Sequence, residues 1–421
     1  MYRKQELANG VRVVTEEIPS VHSAAVGIWI GCGSRDESEQ QLGLSHFLEH
    51  MFFKGTKNRT AKQIAEQLDA VGGHLNAFTT KEYTCLYAKV VAEHLGLAIE
   101  VLSDMYFNSL FAELDLAKEK KVVLEEIKMY EDSPDELVHD LFSETVWQDH
   151  PLGRPILGSA ESVSSLGKDQ VIEYLYKQYV PENTVLAVAG NIKHHEVVNR
   201  LDDVFGQFRR NGGKRLMSPA VFQARSRNFA KDTEQLQICL GVPGLSQDDK
   251  DIYALYALNN MLGGGLSSRL FQEIREERGL AYSIYSYHTS YSDTGLFTIY
   301  AGTSPENYQE LIEVILKEIY SFKNKGVTEV ELQRTKDQIK GNLLLGMENV
   351  SSRMSRLGKT ELSFDRVVTA EEIVKEINTV TRQDIHMVAE RLFNRASFSS
   401  TTIGQTNNEL LWPQLLANSG L

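Results

Sequence analysis

The sequence predicts an α+β protein built as two tandem homologous domains, each a mostly antiparallel sheet packed with helices on one face. Three observations predict it. The chain has 421 residues, more than one hydrophobic core ordinarily serves. A charged, glycine-bearing stretch, Arg209-Arg210-Asn211-Gly212-Gly213-Lys214-Arg215, divides it almost equally and has the composition of an interdomain linker. Both halves then follow a similar order of strand, helices, hairpin, further helices and closing strand, which suits stacked α+β layers. The expected domains are 1–210 and 223–421, joined by a linker at 211–222.

Each element has a local reason. Gly10–Thr15 and Ala24–Ile30 are rich in β-branched and apolar residues and read as strands. A helix is expected from about Leu42 to Phe53. A second runs from Ala61 to Val71, opened by a capping box of Thr60 and Gln63 and stopped at Gly72-Gly73. His74–Val91 alternates as a hairpin around Thr80-Lys81-Glu82. Helices follow at about 94–107, 113–130, 135–148 and 168–179, then the buried-type strand Thr184–Gly190. The second half repeats the pattern with a strand at Leu236–Val242 and a helix at Asp251–Met261. The Gly263-Gly264-Gly265 turn, a helix at Ser268–Glu277 and a hairpin over Ala281–Thr303 come next. More helices and a strand near Ser397–Ile403 complete it.

Composition removes several functions. Acidic residues outnumber basic ones 57 to 44, a net charge of −13, against the clustered positive charge that nucleic acid requires. No apolar run approaches the roughly 20 residues that span a bilayer, and the N-terminus has no apolar signal-peptide core. The three cysteines, Cys32, Cys85 and Cys239, are odd in number and lack metal-ligand spacing. A reducing, cytoplasmic setting is therefore expected. The glycine turn lacks the Gly-Lys-Ser/Thr ending of a phosphate loop. His194-His195, after a strand, reads as a surface turn.

Chemistry concentrates in Leu42–Phe53, which contains His46-Phe47-Leu48-Glu49-His50. On a helix His46 and His50 share a face one turn apart, with Glu49 beside them. Two imidazoles so placed can hold zinc, and the carboxylate can take a proton from a water that the metal acidifies. Leu44, Phe47, Leu48 and Met51 would pack the other faces. By chance the H-x-x-E-H pattern would arise in roughly one or two of a hundred such chains. A third protein ligand is required. Glu119 and Glu126 lie near two turns apart on one helical face, with Glu125 turned about 100° away. Spacing alone cannot choose among them, and composition would make them a solvated charged face.

These motifs resemble the inverted zinc-motif peptidases that include pitrilysin, insulysin and the mitochondrial processing peptidase. The likeness covers nearly the whole chain. It includes Gly33-Ser34-Arg35-Asp36-Glu37, the H-F-L-E-H helix, Gly72–Thr80, Glu119 with Glu126, Leu262–Leu270 and Arg275–Tyr282. It is strongest to the short bacterial processing-peptidase-like branch, in which one chain forms half of a clamshell. The resemblance implies one zinc ion per chain, held by His46, His50 and Glu126, with Glu49 as general base and Glu119 orienting His50 or the metal water. It puts Asn76, Ala77 and Phe78 on an edge strand that takes up extended substrate; without it, Asn76 would close the turn after Gly72-Gly73. It makes Arg275 and Tyr282 substrate contacts supplied by the second half. It also implies a homodimer whose partner chain completes the active site, and it makes Gly263–Gly265 the family's glycine-rich loop. No metal is expected in the second half.

The expected activity is zinc-dependent endoproteolysis of unfolded peptides or presequence-like segments. Three alternatives stand beside it. These are a non-catalytic scaffold subunit, a zinc hydrolase of small molecules, and a peptide-binding protein for which Glu49 would be dispensable.

Overall fold

The apolar runs that mark the central strands arise because helices cover both sheet faces, so neither set of alternate residues meets water. The computed structural model describes residues 2–210, 217–405 and 411–421; of the expected linker, 211–216 lie outside these. Contacts divide the chain into two compact units. One comprises Met1–Lys128, Arg154–Met217 and Leu345–Thr369, the other Met129–Gly153, Ser218–Leu344 and Ala370–Leu421.

The first unit holds strands β1 (Tyr2–Glu6), β2 (Arg12–Glu17), β3 (Ser23–Ile30), β4 (His74–Thr79), β5 (Thr84–Val91) and β6 (Thr184–Gly190), in the order β1-β2-β6-β3-β5-β4. Only the β2–β6 pair is parallel. The second holds β7 (Ser226–Phe229), β8 (Leu236–Pro243), β9 (Ala281–Ser290), β10 (Gly295–Thr303) and β11 (Ser399–Ile403), in the order β7-β11-β8-β10-β9, with β7–β11 parallel. From β2 onward the two orders correspond strand for strand. The α+β reading with two similar sheets holds.

The first half of the chain carries helices α1 (Leu44–Met51), α2 (Ala61–Asp69), α3 (Leu95–Asn108), α4 (Glu113–Glu131), α5 (Pro134–Val146), α6 (Ala160–Ser165), α7 (Lys168–Gln178) and α8 (His194–Phe205). The second carries α9 (Ile252–Gly263), α10 (Tyr308–Lys325), α11 (Glu329–Gly346), α12 (Val350–Phe364), α13 (Ala370–Thr379), α14 (Arg382–Leu392) and α15 (Leu411–Asn418). Two local expectations change. His194-His195 opens α8 instead of forming a surface turn: the His194 N–H donates to Glu17 Oε1 (2.8 Å) and its ring Nδ1 lies 2.8 Å from Thr15 Oγ1. Within the helix expected at 268–277, Phe271–Glu276 form a wider π-helical turn.

Helices cover one face of each sheet as expected, and each sheet carries one more helix on its other face. Ala24, Val26, Ile28 and Ile30 of β3 pack with α1, α3 and α7. The alternate residues Ala25 and Trp29, with Val185, Ala187 and Ala189 of β6, pack instead against Val350, Met354 and Leu357 of α12. In the second unit, Val138, Phe142 and Val146 of α5 pack with Cys239, Leu296, Tyr300 and Ile403 on the face opposite the main core. Each sheet is thus covered by a helix from the other half of the sequence. Lys4 and Arg12 fasten α12 through the fully buried carboxylate of Glu361, at 2.7 and 3.5 Å.

Small residues mark the close approaches. A β-carbon on Gly358 of α12 would overlap the Trp29 indole, which itself donates to Met354 Sδ at 3.2 Å. Gly358→Ala therefore tests the packing by sign. Helix propensity alone would stabilise by about 1 kcal/mol, whereas overpacking costs about 1–3 kcal/mol. Thermal and denaturant unfolding are expected to show a net loss.

Candidate metal centre

Helix α1 is seated before it is functional. Leu44, Phe47, Leu48 and Met51 are fully buried in the first unit's core, which leaves the face with His46, Glu49 and His50 turned from that core. Gly43, in the left-handed region at φ 84°, provides the sharp entry. The carboxylate of Glu37 accepts the Gly43 N–H at 2.8 Å and the Ser45 N–H at 2.6 Å, satisfying donors that a helix start leaves unpaired. From behind, the Tyr174 hydroxyl lies 2.7 Å from Ser45 Oγ and 3.0 Å from Cys32 Sγ.

The other end of α1 is tied to the start of α4. Thr56 bridges Ser109; Lys57 N–H donates to Asn108 O (2.9 Å) and Leu110 N–H to Gly55 O (3.1 Å). The Phe52 and Phe111 rings meet edge to face at 6.0 Å. Phe111 is held at φ 46°, a conformation that costs a bulky residue about 1–3 kcal/mol and persists only where its surroundings dictate it. This joint sets the register of α4 against α1.

Across that register, Glu126 meets both histidines. Its Oε1 lies 3.8 Å from His46 Nε2 and its Oε2 lies 3.6 Å from His50 Nε2. His46, His50 and Glu126 are the one group among the described residues whose donor atoms all fall within 4.8 Å of one another in a metal-holding set. Donors about 2.0–2.1 Å from a tetrahedral zinc stand roughly 3.3–3.4 Å apart, so the 3.8 and 3.6 Å separations of Glu126 from the two imidazoles suit a zinc ion. Glu119, 3% exposed, contacts the other nitrogen of His50, Nδ1, at 2.8 Å with Oε1. That leaves Nε2 of His50 for the ion. Glu125 points away and pairs with Lys128 at 2.7 Å on the exposed side.

Electrostatics separate these groups. Burial, helped by the adjacent His50, pushes His46 down to about 4, so its imidazole stays neutral with a lone pair to donate. For His50 burial opposes the charged form, but the bond to Glu119 and the charges of Glu119, Glu126 and Glu49 outweigh it and raise the pKa. Burial raises Glu49, with the Thr79 hydroxyl and His50 pulling the other way. For Glu119 the bonds from His50 and Lys54 overcome burial and hold the carboxyl below its usual range.

Three residues here were assigned no role from the sequence, although Glu37 and Thr79 lie within motifs that carry the resemblance. Thr79 Oγ1 donates to Glu49 Oε2 at 2.6 Å, fixing the candidate base from β4. Lys54 pairs with Glu119 Oε2 at 2.7 Å, and Glu37 caps α1. A threonine in a strand, a lysine after a helix and a glutamate in a turn each suit their local structure without further cause.

Strand β4 is the last of its sheet, and no other described strand pairs with its outer side. Asn76 lies mid-strand rather than in a turn, its Oδ1 accepting the Ala77 N–H at 2.8 Å. Ala77 is buried in the α1-side core, while Phe78 faces the other way, edge-on to Trp29 at 5.6 Å. In the second unit Tyr282 is the second residue of β9 and is 77% exposed. The Arg275 guanidinium sits 4.9 Å over its ring and 4.7 Å over that of Phe271. Gly263 serves close packing, because a side chain there would strike Ser286 of β9.

Residues 12–160 match the family described as Insulinase (Peptidase family M16), and 165–339 match the Peptidase M16 inactive domain. The chain is 47% identical to the uncharacterized zinc protease YmxG of Bacillus subtilis over 393 residues, covering 93% of this chain and 96% of that one. It is 41% identical to an uncharacterized zinc protease of Streptomyces coelicolor, covering 93% and 87%. A protease from Helicobacter pylori superposes with a TM-score of 0.90 at 22% identity over 96% of this chain and 99% of that one. A chain of complex III from Candida albicans does so at 0.87 and 22% over 99% of each. Both structural likenesses bear on the fold.

Glu37 supplies a pH test. Burial, opposed by the Ser45 and Gly43 bonds, raises it to about 7. Between the ordinary carboxylate range and that value the folded state binds more protons than the unfolded state, so stability falls as pH rises through this window. From pH 5 to pH 8 the metal-free protein is expected to lose stability relative to Glu37→Gln, which cannot titrate. Denaturant melts at the two pH values should show a difference on the order of a few kcal/mol.

Proposed function

From the premise that the chain belongs to the insulinase family of peptidases, M16, we propose that it is a zinc-dependent endopeptidase acting on unfolded peptides or presequence-like segments. The observation that carries this reading is the meeting of His46, His50 and Glu126 beside the largely buried Glu49, the proposed base. His46, His50 and Glu126 would hold one zinc ion, which when bound supplies Lewis acidity toward the scissile carbonyl and acidifies water.

The remaining work falls to side chains. Glu49, steadied by Thr79, takes a proton from the attacking water and passes it to the leaving amine. Its raised pKa suits both halves of that transfer. Glu119 fixes His50 through Nδ1. The outer edge of β4 at Asn76, Ala77 and Phe78 suits uptake of an extended peptide by main-chain pairing. A strand-like substrate excludes folded proteins. Arg275 and Tyr282, ordered by their mutual stacking, are donors suited to a developing oxyanion. A second copy of the chain is the proposed source of the groups that complete each site, and three buried free thiols suit a reducing cytoplasm.

The second reading is a non-catalytic scaffold or peptide-binding subunit. The inactive-domain match that favours it covers 165–339, whereas His46, Glu49, His50 and Glu126 all precede it. Cleavage of a peptide library separates the two readings. Chelator is expected to abolish cleavage and zinc to restore it. Glu49→Gln should lower kcat by about 10²–10⁴-fold and Tyr282→Phe by about 10²-fold. Undiminished cleavage by metal-free protein or by Glu49→Gln would overturn the mechanism.

A further inference from the structure

We infer that Lys54 is a positioning residue of the metal centre, holding the buried carboxylate of Glu119 in the orientation that anchors His50. The inference rests on His46, His50 and Glu126 being the zinc ligands. Lys54 stands in the turn that closes α1, four residues after His50. Glu119 reaches both from α4: Oε1 meets His50 Nδ1 at 2.8 Å and Oε2 meets Lys54 Nζ at 2.7 Å. One carboxylate thus clamps two groups of one chain segment, with each oxygen committed to a different partner.

Charge balance gives the arrangement its purpose. Glu49, Glu119 and Glu126 bring three negative charges around one pair of imidazoles. Zinc and the Lys54 ammonium together offset them, whereas zinc alone would leave one buried charge over. A carboxylate as buried as Glu119 is costly without full compensation. Deprived of Lys54, its Oε2 has no charged partner and the group gains by turning toward water or toward the ion itself. Either movement takes the acceptor from His50 Nδ1, and loss of such a partner typically costs 10–100-fold in metal affinity. The Lys54 side chain is itself one-third exposed, so its removal opens no core cavity.

Two consequences of deleting the lysine oppose each other, which makes the direction informative. As a mere nearby cation Lys54 repels zinc, and its loss would tighten binding. As a strut for Glu119 its presence is required, and its loss weakens binding. Zinc dissociation constants, measured by competition with a chromophoric chelator, decide between them. Lys54→Met is expected to bind zinc about 10–100-fold more weakly, while the metal-free protein melts within a few degrees of the parent. In a Glu119→Gln background the same substitution is expected to change affinity by less than about threefold, because coupled residues are not additive. Parental or tighter affinity in Lys54→Met overturns the inference alone, as does full additivity with Glu119→Gln. A parent chain that binds no zinc overturns the ligand assignment and this inference together.

Discussion

Two imidazoles on α1 meet a carboxylate on α4 at 3.8 and 3.6 Å, and much of the first unit holds that relation in place. A helix as short as Leu44–Met51 has little stability of its own. It is held by four buried side chains beneath it, a carboxylate cap at its start and a backbone bridge at its end. The strained Phe111 belongs to the same economy. Unfavourable dihedrals are tolerated there because the bridge and the Phe52 contact leave the chain no relaxed route into α4. Helix α4 then delivers two glutamates on one face, one to the donor set and one behind His50.

Much of this was legible in the residues. The 3.6-residue spacing of His46 and His50, the apolar residues between them and the Thr60–Gln63 box all fix α1 and α2 locally, and the structure agrees to within a few residues. The separation of Glu119 from Glu126 gave a shared face, but nothing local said which face met the histidines. That choice depends on the joint at 55–57 and 108–110, a contact between segments distant in sequence. Thr79, Lys54 and Glu37 were given no role for the same reason, since their partners lie on other elements. The uniform apolarity of β3 and β6 did carry a signal. Strands covered on one face alternate, and these do not; the expectation of helices on one face left that unexplained, and α12 accounts for it.

The second unit shows what the architecture provides without the donors. Its sheet repeats the strand order, and α9 occupies the place in sequence order that α1 holds in the first half. Its residues Ile252–Gly263 contain no histidine or acid, and Gly263 is spent on close packing against β9. The chemistry of the first unit therefore belongs to a handful of side chains and the ties that align them. The fold supplies the platform on which those ties can be built.

The reciprocal placing of α5 and α12 bears on how the protein is made. Translation proceeds from the N-terminus, and a self-contained first domain could fold while the rest of the chain is still being synthesised. Here Ala25, Trp29, Val185, Ala187 and Ala189 keep an apolar sheet face bare until α12, beginning at Val350, has left the ribosome. The unit that carries the candidate donor set is thus among the last parts of the molecule to become complete, although His46, His50 and Glu126 are translated early. The same arrangement binds the halves genetically. Neither half can be removed as a cassette without stripping the covering helix from the other's sheet.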